Sequence, residues 1–386
     1  MKNFLSVTAG IVRCPFHTGM KTFFSTTAIG LLLFCTGCSR SDSPDRETLN
    51  CQAFCFYYNW YGNTEKDGRE IHWAHPVLKQ SDEDTVTRGT IPGGDDIASN
   101  FFPQLGAYSC TDSATVDRHM RMLTQARIGV IVLTWWDVHD FGYQSVPLIM
   151  DLAARHGVKV CFHIEPFAGR NAETVRRNIQ TIVDSYGCHP AFYRNGGKPL
   201  FFIYDSYLTP PEEWDTLLLP DGSITIRNTP YDALMIGLWV KEGEEDFFAR
   251  SGFDGFYTYF GATAFTYGST PAHWPYLQKW AKQHGKLFIP SVAPGYIDTR
   301  VRPWNGRTSR DRENGRYYDR MFEAAIHSGV THIGITSFNE WHEGTQIEPA
   351  VPFHPAAFHY LDYEPLQPDY YLDRTAYWLE RWEEAR

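Results

Sequence analysis

Short runs of apolar, β-branched and aromatic residues recur along the chain. Each is followed by a longer stretch in which apolar positions return every three or four residues among charged ones. The first pattern predicts strands and the second amphipathic helices, so the alternation reads as repeated β-α units. Strands are predicted at about 52–60, 127–136, 158–166, 199–205, 233–240, 253–260, 286–293 and 331–338. Helical patterns include Ser113–Ala126, Tyr143–His156, Asn171–Tyr186, Pro271–His284, Arg310–Ser328 and Asp369–Ala385. Eight strand signals suit an α/β fold of the (β/α)8 TIM-barrel kind better than a doubly wound sheet, which would carry a Gly-rich phosphate turn. No GxGxxG or GKS/GKT motif occurs.

One connection is long. From Gly62 to Ser113 the chain passes through Ile91-Pro92-Gly93-Gly94-Asp95-Asp96, with His72, Trp73 and His75 embedded. Loops of that length are functional or disordered, and the aromatic and histidine content argues for order. Following the first strand, this loop is expected to drape over the C-terminal face of the barrel, where active sites are built. No composition break follows residue 51, so 51–386 is expected to be a single barrel domain.

The first 50 residues read differently. Lys21 opens an apolar stretch, Phe23–Phe34, of signal-peptide length and too short to span a bilayer. Met20 is a candidate true start. The run ends in Cys35-Thr36-Gly37-Cys38-Ser39, which resembles a bacterial lipobox with Cys38 as the lipidated residue, although Cys35 is a poor match at the first position. Residues 1–38 are thus expected to be a signal peptide with lipobox and 39–50 a polar tether. That places the domain in a bacterial cell envelope, anchored to the outer membrane on its periplasmic or surface face, with the lipid as its only membrane contact. Past Cys38 the cysteines are Cys51, Cys55, Cys110, Cys161 and Cys188, with no CxxC and no zinc-ligand spacing. Cys55 and Cys161 sit in apolar runs as core thiols. Cys110 and Cys188 could pair in an oxidising compartment, and the sequence leaves that open.

Composition narrows the partners. A net charge of −10 with no Lys/Arg block offers nothing to a phosphate backbone, which excludes nucleic acid. The 12 Trp, 22 Tyr and 26 Phe either fill a core or form flat walls against which sugars can lie. A monomer is expected.

The last predicted strand runs into Asn339-Glu340-Trp341-His342-Glu343-Gly344. Two carboxylates three positions apart in a turn can enter one pocket, as glycoside cleavage requires: one to move the glycosidic proton, the other to act on sugar or water. A neighbour such as Trp341 raises the acid's pKa by desolvation, and a like charge raises it further. Other strand ends repeat the theme, with Tyr58, Trp135-Trp136, His163-Ile164-Glu165, Tyr204 and Tyr259. His72, His75, His163 and His342 sit beside Trp, Tyr and Asn without an HExxH, which favours hydrogen bonding to hydroxyls over a metal. No metal and no cofactor is expected. Arg302 either orients a carboxylate or sugar oxygen or forms a surface salt bridge.

Six segments resemble glycoside hydrolase family 99, the endo-α-1,2-mannosidases and endo-α-1,2-mannanases. They are FYYNWYGNTEKDGREIHWAHPVL (56–78), GGDDIASNFFPQLGAYS (93–109), GVIVLTWWD (129–137), HIEPF (163–167), GYIDTRVRPWN (295–305) and FNEWHEGTQIEP (338–349). The resemblance implies a (β/α)8 barrel that cleaves internal α-mannoside bonds of fungal-type mannan or high-mannose glycans with retention and without metal. It implies Glu343 as general acid/base and Glu340 as the base acting on the sugar's own 2-hydroxyl, through a 1,2-anhydro sugar. One member of the Trp135-Trp136 pair matches a site that is Tyr in animal members of the family. A ring without a hydroxyl there favours mannose over glucose, and so mannan over glucosylated N-glycans. Tyr58, His72, His75, Glu165, Tyr204, Tyr259, Arg302, Asn339 and Trp341 complete the expected sugar contacts. Competing readings are a non-catalytic glycan-binding lipoprotein, which has little use for two buried carboxylates, and a metal-dependent barrel hydrolase.

Overall fold

The computed structural model describes residues 49–386 apart from Asp82 and Val86. The expected signal peptide, its lipobox with Cys38, and the tether up to Thr48 lie outside the described residues. Eight strands follow one another in the chain: β1 (Asn50–Tyr57), β2 (Ile128–Trp135), β3 (Lys159–Ile164), β4 (Lys198–Ile203), β5 (Leu234–Leu238), β6 (Gly255–Tyr257), β7 and β8 (Ile333–Ile335). Asn50, assigned to the tether on sequence, opens β1 instead. Each strand pairs in parallel with the next.

The predicted strand at 286–293 is broken into Leu287–Ile289 and Ser291–Val292 by Pro290, which has no N–H for a ladder. Its first half pairs with β6 and its second with β8, and β8 pairs with β1 in the register Phe54↔Gly334. The ring therefore closes through a divided β7, giving the expected (β/α)8 barrel.

The helices lie outside it: α1 (Ser113–Gln125), α2 (Val146–His156), α3 (Ala172–Tyr186), α4 (Pro211–Leu218), α5 (Glu245–Arg250), α6 (Trp274–Gln283), α7 (Arg316–His327) and α8 (Tyr370–Glu384). Local chemistry sets their ends. Asn171 and Thr174 form a reciprocal capping box ahead of α3, whose buried stripe is Val175, Ile179, Ile182 and Tyr186. Helix α7 starts six residues later than its pattern predicts, because Asn314 and Gly315 take left-handed backbone angles (φ 53° and 90°). Helices α4 and α5 are too short for periodicity to reveal.

Phe54, Phe56, Phe202 and Tyr257 fill the barrel, with ring centroids 5.0–5.6 Å apart. A second aromatic layer lies between barrel and helices, where Trp239 stacks on Phe248 at 5.0 Å and meets Phe256 and Trp280. Nine of the 12 tryptophans are buried, so most of the aromatic excess is packing rather than wall. Cys55 and Cys161 are buried free thiols, as expected; Cys110 is a third, enclosed 3.7 Å from the Tyr58 carbonyl, so it does not pair with Cys188.

The described residues of the long β1–α1 connection lie across the C-terminal face. It contains one helical turn (Thr64–Asp67) and a small antiparallel pairing of His75–Pro76 with Thr90–Ile91. Its Trp73 is fully buried on Tyr61, centroids 4.1 Å apart.

Replacing Trp239 by Ala removes the centre of the outer layer. It is expected to cost about 3–5 kcal/mol in urea unfolding with an unchanged denaturant slope. A cost near zero would contradict the packing described.

Candidate active site

After β8 the chain crosses the barrel mouth and folds back on itself. Ser337 N–H donates to Thr345 O and Ile347 N–H to Ser337 O, both at 2.9 Å. Asn339 is fully buried and treats the end of β1 as a strand partner: its Oδ1 accepts from Tyr58 N–H (2.7 Å) and its Nδ2 donates to Tyr58 O (2.8 Å). Glu340 N–H donates to Ser337 Oγ (2.8 Å), and its carboxylate accepts from His342 N–H (3.2 Å). Glu343 O accepts from Ile297 N–H at 2.8 Å. The next residue must be glycine, since Gly344 has φ 62° and a Cβ there would lie 2.7 Å from Ile297 Cγ2. Arg312 closes the turn from behind, donating to Gly344 O (2.9 Å) and Gln346 O (2.8 Å) beneath three aromatic rings.

The turn places two carboxyl groups in a water-poor pocket. Burial pushes the Glu343 carboxyl up to about 7, with Arg302 opposing and the charges of Asp298 and Glu165 adding. Burial and then the Glu343 charge hold Glu340 well above the ordinary carboxylate range, against Arg302 and the His342 N–H. Two such groups do not both ionise readily, so at neutral pH the pair retains a proton. Glu343 Oε2 is buried and has no hydrogen-bond partner among the described residues, while the side chain as a whole keeps partial exposure. Arg302 does not form the surface salt bridge considered for it: Nη1 pairs with fully buried Asp298 at 3.1 Å and stands 4.0 Å from Glu343 Oε1.

The opposite wall comes from β1 to β6. The Tyr58 and Tyr259 hydroxyls bond each other. Glu165 accepts from Thr134 Oγ1 (2.6 Å) and lies 3.0 Å from His163 Nδ1, while His163 Nε2 meets Tyr257 OH at 2.6 Å. Tyr204, half-buried, crosses the Tyr259 ring at 5.2 Å. Along the third side His72 stacks on Trp60 at 4.6 Å, and the His342 ring lies 5.9 Å from His72 and 4.9 Å from His75. Burial and His75 bring His72 down to about 4; burial also lowers His75 and, with His72, takes His342 well below its ordinary value. His342 Nδ1 donates to Ala98 O (2.7 Å), so Nε2 carries the lone pair, without a partner among the described residues. Burial thus holds all three imidazoles in their neutral form at pH 7. Among the described residues, no group of three His, Cys, Asp or Glu is placed to hold a metal.

Three expected contacts move. Trp135 points outward, packing on Tyr143 and Phe162 between β2 and α2, so Trp136, one position on and half-buried, is the member of the pair on the cleft side by strand alternation. Trp341 is fully enclosed, donating to Glu348 Oε2 at 2.9 Å. Asn339 is spent on the Tyr58 backbone. Both Trp341 and Asn339 position the turn rather than line the cleft.

Sequence reasoning missed the support under the turn. Glu348 is buried with His119 of α1, Nε2 to Oε1 3.2 Å, and accepts from Tyr108 OH at 2.8 Å. His119 also meets Tyr57 OH at 2.7 Å. A histidine on the apolar stripe of α1 was the available signal.

A parallel barrel with a raised-pKa carboxyl pair and aromatic walls at the C-terminal mouth has the form of a barrel glycosidase. The model for glycosyl hydrolase family 99 matches residues 48–384, and the chain belongs to that family of glycoside hydrolases. The glycoprotein endo-alpha-1,2-mannosidase of Rattus norvegicus is 45% identical over 352 residues, covering 88% of this chain and 76% of its own length. A Homo sapiens glycoprotein endo-alpha-1,2-mannosidase-like protein is 46% identical over 339 residues, 84% of this chain and 74% of its own. The solved structure of the family 99 endo-alpha-mannosidase from Bacteroides thetaiotaomicron superposes with a TM-score of 0.86 at 59% identity, covering 88% of this chain and 99% of that one.

Because the folded Glu343 carboxyl binds its proton more tightly than the unfolded one, stability falls as pH rises from about 4.5 through 7. Glu343→Gln is expected to raise unfolding stability at about pH 8 on the order of 2 kcal/mol, the gain vanishing below about pH 4.5. Thermal melts across that range test it, and no gain at the alkaline end would refute a buried, raised Glu343.

Proposed function

We propose that the chain is a retaining, endo-acting hydrolase of internal α-1,2-mannosidic linkages in fungal-type mannan or high-mannose glycans. The observation that carries this is the Glu340–Glu343 pair, held on one clamped turn with both carboxyls pushed above the ordinary range and Arg302 4.0 Å from Glu343 Oε1. The 2-hydroxyl of mannose is axial and lies behind an α-linked leaving group. Glu340 takes the proton from that hydroxyl while O2 bonds to C1, and Glu343 gives its proton to the departing oxygen as the C1–O bond breaks. Glu343 then takes a proton from water, whose oxygen opens the 1,2-anhydro ring at C1, and Glu340 returns the proton to O2. Two displacements restore the original anomer. Tyr58, Glu165, Tyr204, Tyr259, Arg302 and the neutral histidines His72 and His75 supply the surrounding sugar contacts.

Trp136 supports mannan over glucosylated N-glycans, since its ring offers no hydroxyl to a glucose unit preceding the cleaved bond. The Gly37-Cys38 junction after an apolar run supports a bacterial lipoprotein tethered to the outer membrane. The chain is proposed to act as a monomer. A purely glycan-binding role finds no use for a carboxyl held near neutrality.

With α-1,2-manno-oligosaccharides, Glu340→Gln and Glu343→Gln are each expected to lower kcat/KM by about 100-fold or more. Glu343→Gln retains turnover of an activated aryl glycoside, whose leaving group needs no proton, and Glu340→Gln does not. In the unaltered protein kcat/KM falls as pH rises through about 7, the limb on which Glu343 loses its proton. Release of single mannose units, an inverted product anomer, or undiminished variants would overturn the corresponding part of the reading. Trp136→Tyr is expected to raise the rate on glucose-capped substrate relative to mannan about tenfold. An unmoved ratio in paired kcat/KM measurements would remove Trp136 from substrate choice.

A further inference from the structure

Phe265 is 51% exposed in the loop that follows β6, at the same end of the barrel as the carboxyl pair. Its ring meets Phe260 edge-on at 5.2 Å, and Phe260 in turn meets Tyr259 at 5.9 Å and Tyr204 at 6.3 Å. From the Tyr58–Tyr259 hydroxyl pair the rings thus run outward as Tyr259, Phe260 and Phe265, and each is more exposed than the one before.

An isolated exposed apolar side chain is ordinary. What separates this one is the loop beneath it. Tyr317 OH donates to Gly261 O (2.7 Å) and accepts from Thr263 N–H (2.9 Å). Arg310 Nε donates to Thr263 O (3.0 Å), and Ser269 Oγ to Ala262 O (3.1 Å). Phe265 N–H itself closes a turn onto Ala262 O at 3.2 Å. Groups from the β7–α7 connection and from α7 therefore hold successive peptide units ahead of the ring. A loop fixed in this way presents Phe265 with its backbone entropy already lost, and the side chain has only two torsions to restrict on binding. The apolar C–H face of a pyranose is the matching surface, neutral and flat.

We propose that Phe265 is an outer stacking platform of the glycan cleft, receiving a hexose ring beyond the two that flank the cleaved bond and so favouring long or branched chains over short ones. This rests on the glycan-cleaving reading above. Sequence gave no hint of it, because Phe265 lies outside every strand end and motif that pointed to the site.

The test compares kcat/KM on a short α-1,2-manno-oligosaccharide and on branched mannan for the unaltered protein, Phe265→Ala and Phe265→Trp. Phe265→Ala is expected to lower the mannan-to-oligosaccharide ratio about fivefold, the worth of one aromatic contact, and Phe265→Trp to restore it. Thermal melts confirm that both variants are folded, and calorimetric binding of branched mannan to Glu343→Gln, with and without Phe265→Ala, reads the same contact without turnover. Equal losses on both substrates, or an unmoved ratio and affinity, overturn the platform while leaving the cleavage reading intact. An unaltered protein that cleaves neither substrate overturns both.

Discussion

The paired hydrogen bonds between the Asn339 side chain and the Tyr58 backbone are the constraint on which the site depends. A carboxamide has the donor and acceptor spacing of a peptide unit, so Asn339 continues the β8–β1 ladder after the β8 backbone has left it to become a turn. Buried and fully paired, it sets where Glu340 begins and where the Tyr58 ring enters the cleft. The other tethers act on the far side of the same turn: Ile297 on Glu343 and Arg312 on Gly344 and Gln346. Keeping two carboxyls out of water is unfavourable, and a flexible segment would relieve that by swinging one of them outward. Clamping the backbone from both sides prevents it, which is how the raised proton affinities persist.

The same logic explains the residues below. Trp341, Tyr108 and His119 all converge on Glu348, a buried carboxylate that accepts rather than reacts. It has full hydrogen bonding on one oxygen and an imidazole beside the other. Glu343 has no such enclosure: its carboxyl keeps partial exposure and stands 4.0 Å from Arg302. Within one short motif, the structural and the chemical glutamate are therefore set apart by what surrounds them, a closed ring of donors for Glu348 and a cleft-side cation for Glu343.

Most of the barrel was legible because strand signals are local: apolar runs of strand length flanked by turn residues. The carboxyl pair was legible for the same reason, lying within four residues at a strand end. Orientation was harder. Trp135 and Trp136 are adjacent and chemically identical, and only the register of β2 against β3 (Trp135↔Ile164) decides which faces out. Asn339 and Trp341 looked like ligand contacts because polar and aromatic residues near a site read alike, whether they touch a sugar or brace the residue that does. The break at Pro290 was written in the sequence but hidden inside an otherwise continuous apolar run. Short helices α4 and α5 carry too few turns to establish a period. The His119–Glu348 contact joins a helix to a loop far along the chain, a pairing that no local pattern encodes.

Tyr58 and Asn339 stand 281 positions apart, the first just past the opening strand and the second just beyond the closing one. The active pocket is therefore a seam where the two ends of the barrel meet. No partial chain emerging during synthesis can assemble it before residue 339 is made, since the residues that shape the carboxyl turn come late in the chain and bind to those that come early. Hydrolytic competence and completion of the ring are one event, so an incompletely closed barrel has no assembled carboxyl turn with which to act.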